Sequence, residues 1–150
     1  MGSKVVLLVE DSPSDIELTR LAFEKNRISN EMVVAEDGVE ALEYMFGTGP
    51  YAGRDPNDIP ALILLDLKLP RVDGLDVLRR IRADERTRRT PVVILTSSKE
   101  EEEMIRGYDL AVNSYVRKPV NFAQFSKAVE QLGLYWLVLN EVPPRKLRAT

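Results

Sequence analysis

With 150 residues the chain suits one domain, long enough to bury roughly 70% of its unfolded surface. Its 21 basic and 24 acidic residues leave a net charge of −3, which gives no electrostatic footprint for nucleic acid or an anionic membrane. Cysteine and histidine are both absent, which excludes disulfides, thiolate or imidazole metal sites and a phosphohistidine of its own, and agrees with a reducing cytoplasm.

Met1 to Lys4 lead straight into a strand, so no secretory signal is expected. Apolar runs of strand length then alternate with segments of helical period, the pattern of strand–helix–strand units around a parallel sheet. A first strand is expected at about Lys4 to Glu10. The helix after it has Ser12 as N-cap, Pro13 at its first position and Asp15 favouring its positive end. The second strand runs from about Glu31 to Ala35. Asp37-Gly38-Val39-Glu40 resembles a capping box, opening a helix with Ala41, Leu42 and Met45 on its inner face. Ala61 to Asp66 is apolar without alternation, as expected of a central strand covered on both sides.

Gly74, Val77, Leu78 and Ile81 recur at helical spacing within a third helix, about Asp73 to Ala83. The fourth strand is Pro91 to Thr96. The next helix begins near Ser98, and the acidic run Glu100 to Glu103 in its first turn reads as a solvated, dipole-friendly face. Ser114 to Arg117, short and more polar, suits an edge strand. Asn121 then caps a fifth helix with a stripe of Phe122, Phe125, Val129 and Leu132. No internal repeat or shift of composition marks a second domain. Residues 1–150 therefore read as a single domain, with a core of about 4–133 and an extended C-terminal helix and tail over 134–150.

Two stretches fall outside this minimal pattern. Gly47 to Pro60 holds three glycines and three prolines in fourteen residues, and loops this long are either passive insertions or partner contacts. Near the C-terminus, Leu134, Tyr135, Trp136, Leu137, Val138 and Leu139 are consecutive. That run is far short of the ~20 residues that span a membrane. A surface helix needs only one apolar stripe, so a homodimer interface is expected there, through Leu134, Tyr135, Trp136, Leu137 and Leu139. Arg145, Lys146 and Arg148 read as a frayed tail.

The chemistry lies at the ends of the strands. The first stops at Glu10 and Asp11, the third at Asp66, the fourth at Thr96, and the fifth leads to Lys118 and Pro119. In a parallel sheet these residues share one edge, where open α/β sheets place their ligands. Each alone has a plain reading, as a helix cap, a turn former or a solvated lysine; their joint placement does not. Carboxylates ~4 Å apart repel by about 4 kcal/mol at an effective dielectric of 20, so a proton or a cation must join them. Oxygen donors without His or Cys favour a hard ion, and Mg2+ is the usual choice beside phosphate. Asp66 is then the best nucleophile, giving an aspartyl phosphate, with Lys118 and Thr96 for the phosphoryl oxygens.

Glu10-Asp11, Asp66 within Leu65-Asp66-Leu67-Lys68-Leu69-Pro70, Asp73-Gly74, Thr96-Ser97-Ser98 and Lys118-Pro119 together resemble the receiver domain of two-component response regulators, over nearly the whole chain. Through Pro50-Tyr51-Ala52-Gly53 and Leu134-Tyr135-Trp136 the chain is similar to the small stand-alone regulators of bacterial and cyanobacterial phytochrome-type sensor kinases. The resemblance implies a flavodoxin-like, doubly wound α/β fold, a five-stranded parallel sheet of order 2-1-3-4-5 with helices on both faces. It implies a regulatory protein of the cytoplasm rather than an enzyme, phosphorylated on Asp66 by a sensor histidine kinase and acting on a downstream protein. Asp11, Asp66 and the backbone carbonyl of Lys68 would hold Mg2+, with Glu10 acting through water. Lys118 would pair with the phosphoryl group, the Lys118–Pro119 peptide would be cis, and Thr96 and Tyr115 would form the switch.

Two departures from the commonest pattern stand out. Glu10 replaces the Asp often found there, and Lys68 puts a long cation two residues past the acceptor. A Mg2+-dependent phosphohydrolase with an aspartyl-phosphate intermediate is the alternative from another class. Such enzymes usually place a second Asp where this chain has Lys68. A receiver-fold module that takes no phosphate is the third reading, and the intact acidic set argues against it.

Overall fold

In the computed structural model, which describes residues 5–28, 30–118 and 122–132, the apolar runs pair as strands of one parallel sheet. The strands are β1 (Val6–Val9), β2 (Met32–Ala35), β3 (Leu62–Asp66), β4 (Val92–Thr96) and β5 (Ser114–Arg117), in the order β2-β1-β3-β4-β5. Alternation divides the core between the two faces of the sheet. Leu7, Val9, Ile63, Leu65, Val92 and Ile94 pack on one side with Ala41, Met45, Val77, Leu78, Ile81 and Ile105. Val6, Leu8, Leu62, Leu64, Val93 and Leu95 pack on the other with Ala22, Phe23, Phe125 and Val129. Every residue of β1, β3 and β4 is buried. The central runs lack polar alternation because both of their faces are covered. Edge strand β5 is only half-buried, as its polarity predicts.

The helices are α1 (Pro13–Lys25), α2 (Gly38–Phe46), α3 (Gly74–Ala83), α4 (Lys99–Arg106) and α5 (Phe122–Leu132). Four of them begin where expected, Ser12 and Asp37 as the expected caps and Asp73 and Ser98 as caps at the expected starts. The side chains of Ser12, Asp37, Asp73 and Ser98 accept from the backbone N–H of Asp15, Glu40, Asp76 and Glu101, which satisfies one orphan donor at each helix start. The capping box is shifted by one residue, because Glu40 reaches back to the N–H of Glu36 rather than to that of the cap. Asn121, expected to cap α5, lies outside the described residues.

The stretch from Gly47 to Pro60 is more built than its composition suggests. Gly47 closes α2 at φ 67°, a left-handed conformation that glycine adopts without cost, and Gly49–Tyr51 forms a short 3-10 turn. Tyr51 meets Tyr44 edge to face with ring centroids 5.1 Å apart. Arg54 stacks over Tyr44 and donates to the carbonyls of Tyr44 and Asp58. This insertion is thus fastened onto α2 by its own side chains. No helix among the described residues is long and apolar enough to cross a membrane.

Candidate functional site

Register assembles the site. Val9 of β1 stands beside Leu65 of β3, so Glu10 and Asp66 follow together at the same edge. Asp66 in turn neighbours Leu95, and Thr96 neighbours Arg117, one residue before Lys118. Carboxylate oxygens of Glu10, Asp11 and Asp66 all lie within 4.8 Å of one another. Asp11 is exposed, whereas Glu10 is 1% and Asp66 6% accessible. The backbone N–H of Ser12 donates to Glu10 Oε2 at 3.2 Å, and that of Lys68 to Asp66 Oδ1 at 3.1 Å. Gly74 lets α3 start directly against the acceptor strand, since a Cβ there would stand 2.5 Å from the Asp66 carbonyl oxygen.

One ammonium answers these acids. Lys118 Nζ lies 2.8 Å from Glu10 Oε1, 2.8 Å from Asp15 Oδ2 and 3.3 Å from Asp66 Oδ2. Its backbone N–H donates to the carbonyl of Thr96, which ties the end of β5 to the end of β4. Negative charge is in excess, because Glu10, Asp15 and Asp66 share one ammonium and Asp11 adds a fourth carboxylate beside Glu10 and Asp66. Burial pushes the Glu10 carboxyl up to about 7, the Asp66 charge adds to the rise, and the Lys118 hydrogen bond only partly opposes it. For Lys118, burial favours the neutral amine, but hydrogen bonds to Asp15 and Glu10 and the Asp66 charge hold it above the ordinary lysine value. A cluster of hard oxygen donors with surplus charge is the chemistry a divalent, oxygen-seeking cation resolves.

The hydroxyl of Thr96 is buried and has no hydrogen-bond partner among the described residues. An unsatisfied buried hydroxyl costs roughly 1–3 kcal/mol, and Thr96 ends the strand beside the one that carries Asp66. Tyr115 is half-buried on β5, paired with Ile94, and its ring lies under the Arg106 guanidinium at 4.4 Å. Burial raises its hydroxyl pKa. Around the site, an open groove of about 640 Å³ is lined by Asp11, Lys68, Leu69, Asp73, Glu101 and Met104, among others.

Thus Glu10, Asp11, Asp66 and Lys118 come together as expected, with Thr96 at the end of the next strand. Two participants were not legible in the sequence. Asp15, expected only to favour the helix end, reaches Lys118. Glu101 corrects the reading of the acidic run as a merely solvated face. One of its oxygens accepts the Ser97 N–H at 2.8 Å, and the other pairs with Lys68 at 3.3 Å. Glu102 also has a partner, Arg106 at 2.9 Å. Spacing shows the i,i+4 pair Glu102–Arg106, but not the Lys68–Glu101 pair, which depends on how the β3–α3 loop and α4 face each other. Pro119 and its peptide bond, and the apolar residues Leu134, Tyr135, Trp136, Leu137 and Leu139, lie outside the described residues.

Comparison with known proteins agrees with this geometry. The model of the response regulator receiver domain matches residues 6–130. Response regulator Rcp1 of Synechocystis sp. is 37% identical over 140 residues, 93% of each chain. Its Mn(2+)-bound crystal structure superposes with a TM-score of 0.80, covering 94% of this chain and 99% of that one. The bacteriophytochrome response regulator AtBRR is 51% identical, with 94% of this chain and 100% of that chain covered and a TM-score of 0.75. The phosphorylated cyanobacterial phytochrome response regulator RcpA is 38% identical over 95% of this chain and 100% of its own, at a TM-score of 0.81. With the sheet order, the acidic cluster and these matches in agreement, the chain belongs to the response regulator receiver domain family of two-component signalling.

Proposed function

We propose that this chain is a phosphorylation-dependent switch, composed of a single receiver domain over 1–150, that takes a phosphoryl group on Asp66 from a phytochrome-type sensor histidine kinase. The observation that carries this reading is the cluster of three carboxylates, Glu10 and Asp11 just after β1 and Asp66 at the end of β3, with Glu10 and Asp66 both paired to the Lys118 ammonium at one strand edge. Relatives crystallised with Mn(2+) and in a phosphorylated form support it. Asp11 and Asp66 would hold Mg2+ directly, with the Lys68 carbonyl, and Glu10 would act through water. When bound, the ion supplies charge neutralisation and a template for the phosphoryl oxygens.

In the transfer an Asp66 carboxylate oxygen attacks phosphorus. The O–P bond forms as the P–N bond to the kinase imidazole breaks, and the bonding pair leaves with the ring nitrogen. Lys118 offsets charge on the phosphoryl oxygens. The Thr96 hydroxyl, unpaired among the described residues, has a donor to give them, and its movement towards the phosphate opens space for the half-buried Tyr115. A small event at a packed element then remodels the surface of α4, β5 and α5 for a downstream protein. The test is phosphotransfer. A phytochrome-type kinase carrying labelled phosphohistidine should label the wild type and not Asp66→Asn; equal labelling of both would contradict this assignment.

The Lys68–Glu101 pair bears on the lifetime of that phosphate. It spans the rim of the site and, through Glu101, reaches the backbone beside Thr96. Lys68→Asn is expected to change the dephosphorylation half-life severalfold with the extent of phosphorylation intact, and an unchanged half-life would end the idea.

The same reading includes a homodimer in the cytoplasm, acting without nucleic acid. It rests on the uninterrupted apolar run, in which Leu134, Tyr135, Trp136, Leu137 and Leu139 exceed what one packed stripe can bury. Leu137→Glu combined with Trp136→Ala should convert the protein to a monomer by light scattering. A dimer that survives both changes places the interface elsewhere.

A further inference from the structure

Lys118 has three ammonium hydrogens, and three carboxylates surround it. Two of them, Glu10 and Asp66, belong to the cluster whose oxygens lie within 4.8 Å of one another. The third, Asp15, does not. It stands on the first turn of α1, and its Oδ2 is 2.8 Å from Lys118 Nζ, as close as Glu10 Oε1 and nearer than Asp66 Oδ2 at 3.3 Å. Its backbone is fixed at both ends of the residue, because its N–H donates to Ser12 Oγ at 3.3 Å and its carbonyl accepts the Thr19 hydroxyl at 2.8 Å. The side chain is 35% accessible, so it sits at the outer rim of a site whose inner acids are buried.

We propose that Asp15 is a positioning residue for phosphorylation, the outer anchor that fixes the Lys118 ammonium so that its remaining N–H faces the Asp66 oxygen that takes the phosphoryl group. This rests on the function proposed above, in which Glu10 and Asp66 both change what they face once a cation and a phosphoryl group are present. Asp15 lies outside that exchange. Two N–H groups held by Glu10 and Asp15 leave the third directed at Asp66 Oδ2 and, during reaction, at the phosphoryl oxygens. Without Asp15 the long lysine side chain keeps one anchor and gains rotamers. Preorganised charges accelerate reactions because they need no reorganisation at the moment of transfer.

The step is read with acetyl phosphate. The Asp66 O–P bond forms, the P–O bond to the acetyl group breaks, and the bonding pair leaves with acetate. Full-length wild type, Asp15→Asn and Asp15→Ala are compared at saturating Mg2+ by intact mass over time, together with Mg2+ affinity by calorimetry and thermal midpoint. Glu17→Gln, which removes a charge from an exposed neighbour on α1, controls for the general field. Loss of one charge-assisted contact predicts a fall of about tenfold in the maximal phosphorylation rate for both Asp15 variants. The Mg2+ dissociation constant stays within about twofold and Glu17→Gln behaves as wild type.

A purely structural role would lower the thermal midpoint without moving the rate, and that result overturns the proposal. Unchanged or faster phosphorylation in Asp15→Asn overturns it too. So does a matching loss of Mg2+ affinity, which would place Asp15 among the metal's partners, or an equal fall in Glu17→Gln. If wild type itself takes no phosphate, the function proposed above fails instead, so the two failures are separable.

Discussion

Asp66→Asn is expected to take no phosphate, and in Mg2+-free buffer to unfold at a higher temperature than the wild type. The first result follows from loss of the nucleophile. The second follows from charge. The Asp66 carboxylate has two acidic neighbours with oxygens no more than 4.8 Å away, and one ammonium at 3.3 Å. At pH 8, where Glu10 is ionised, and at an effective dielectric of 20, each neighbour costs about 3.5 kcal/mol and the ammonium returns about 5 kcal/mol. The balance favours the neutral amide by about 2 kcal/mol, a rise of roughly 4–8 °C for a chain of this size. Saturating Mg2+ should invert the order. A ligand at 100 times its dissociation constant adds about 2.7 kcal/mol to a protein that binds it, and Asp66→Asn would lack one of the proposed oxygen donors. Thermal midpoints of both proteins with Mg2+ and with EDTA check this; a wild type more stable than the variant in EDTA would show that the cluster is not frustrated by charge.

The same frustration has a pH signature in the metal-free wild type. Burial raises the Glu10 carboxyl from 4.5 to about 7. A raised acid favours the folded state while protonated, so its contribution is fully present below 4.5. It is lost as the pH climbs through about 7. Glu10→Gln should flatten that part of the stability profile.

Lys118→Met is the more damaging change. It removes the cation that lies within 3.3 Å of Glu10, Asp15 and Asp66, and leaves two of those acids almost fully buried. Breaking a buried pair by deleting one partner costs about 3–5 kcal/mol. The loss should be greatest at pH 8 and smaller below pH 7, where Glu10 takes up a proton. Phosphorylation should slow by at least about a hundredfold, the scale of losing one electrostatic stabiliser of a transition state. Urea unfolding at the two pH values, with a phosphorylation time course in Mg2+, checks both parts. A variant as stable as wild type at pH 8 would mean that the acids are satisfied without the lysine.

Much of this site could be read from the chain because each of its parts is punctuated. Val6–Val9, Leu62–Asp66 and Val92–Thr96 end where polar residues begin, and a parallel sheet leaves those ends at one edge. Ser12, Asp37, Asp73 and Ser98 mark helix starts by a local hydrogen bond that the sequence encodes directly. What could not be read depends on orientation between elements. Asp15 serves a helix N-terminus equally well whether or not a lysine from the far end of the sheet arrives beside it. Glu101 looked like one solvated acid among four until the loop after Asp66 brought Lys68 over it. The stretch after Gly47 reads as a loop by composition, yet Arg54 and Tyr51 fold it against Tyr44, a contact that no periodicity announces.

The central claim is that acids separated in sequence meet to bind a divalent ion beside one carboxylate that takes phosphate. Incubation of the full-length protein with acetyl phosphate, with Mg2+ or with EDTA, followed by intact mass, tests it most directly. A single phosphoryl adduct that requires Mg2+ and vanishes in Asp66→Asn is the predicted result. No adduct in Mg2+, or an adduct that survives Asp66→Asn, would contradict the account.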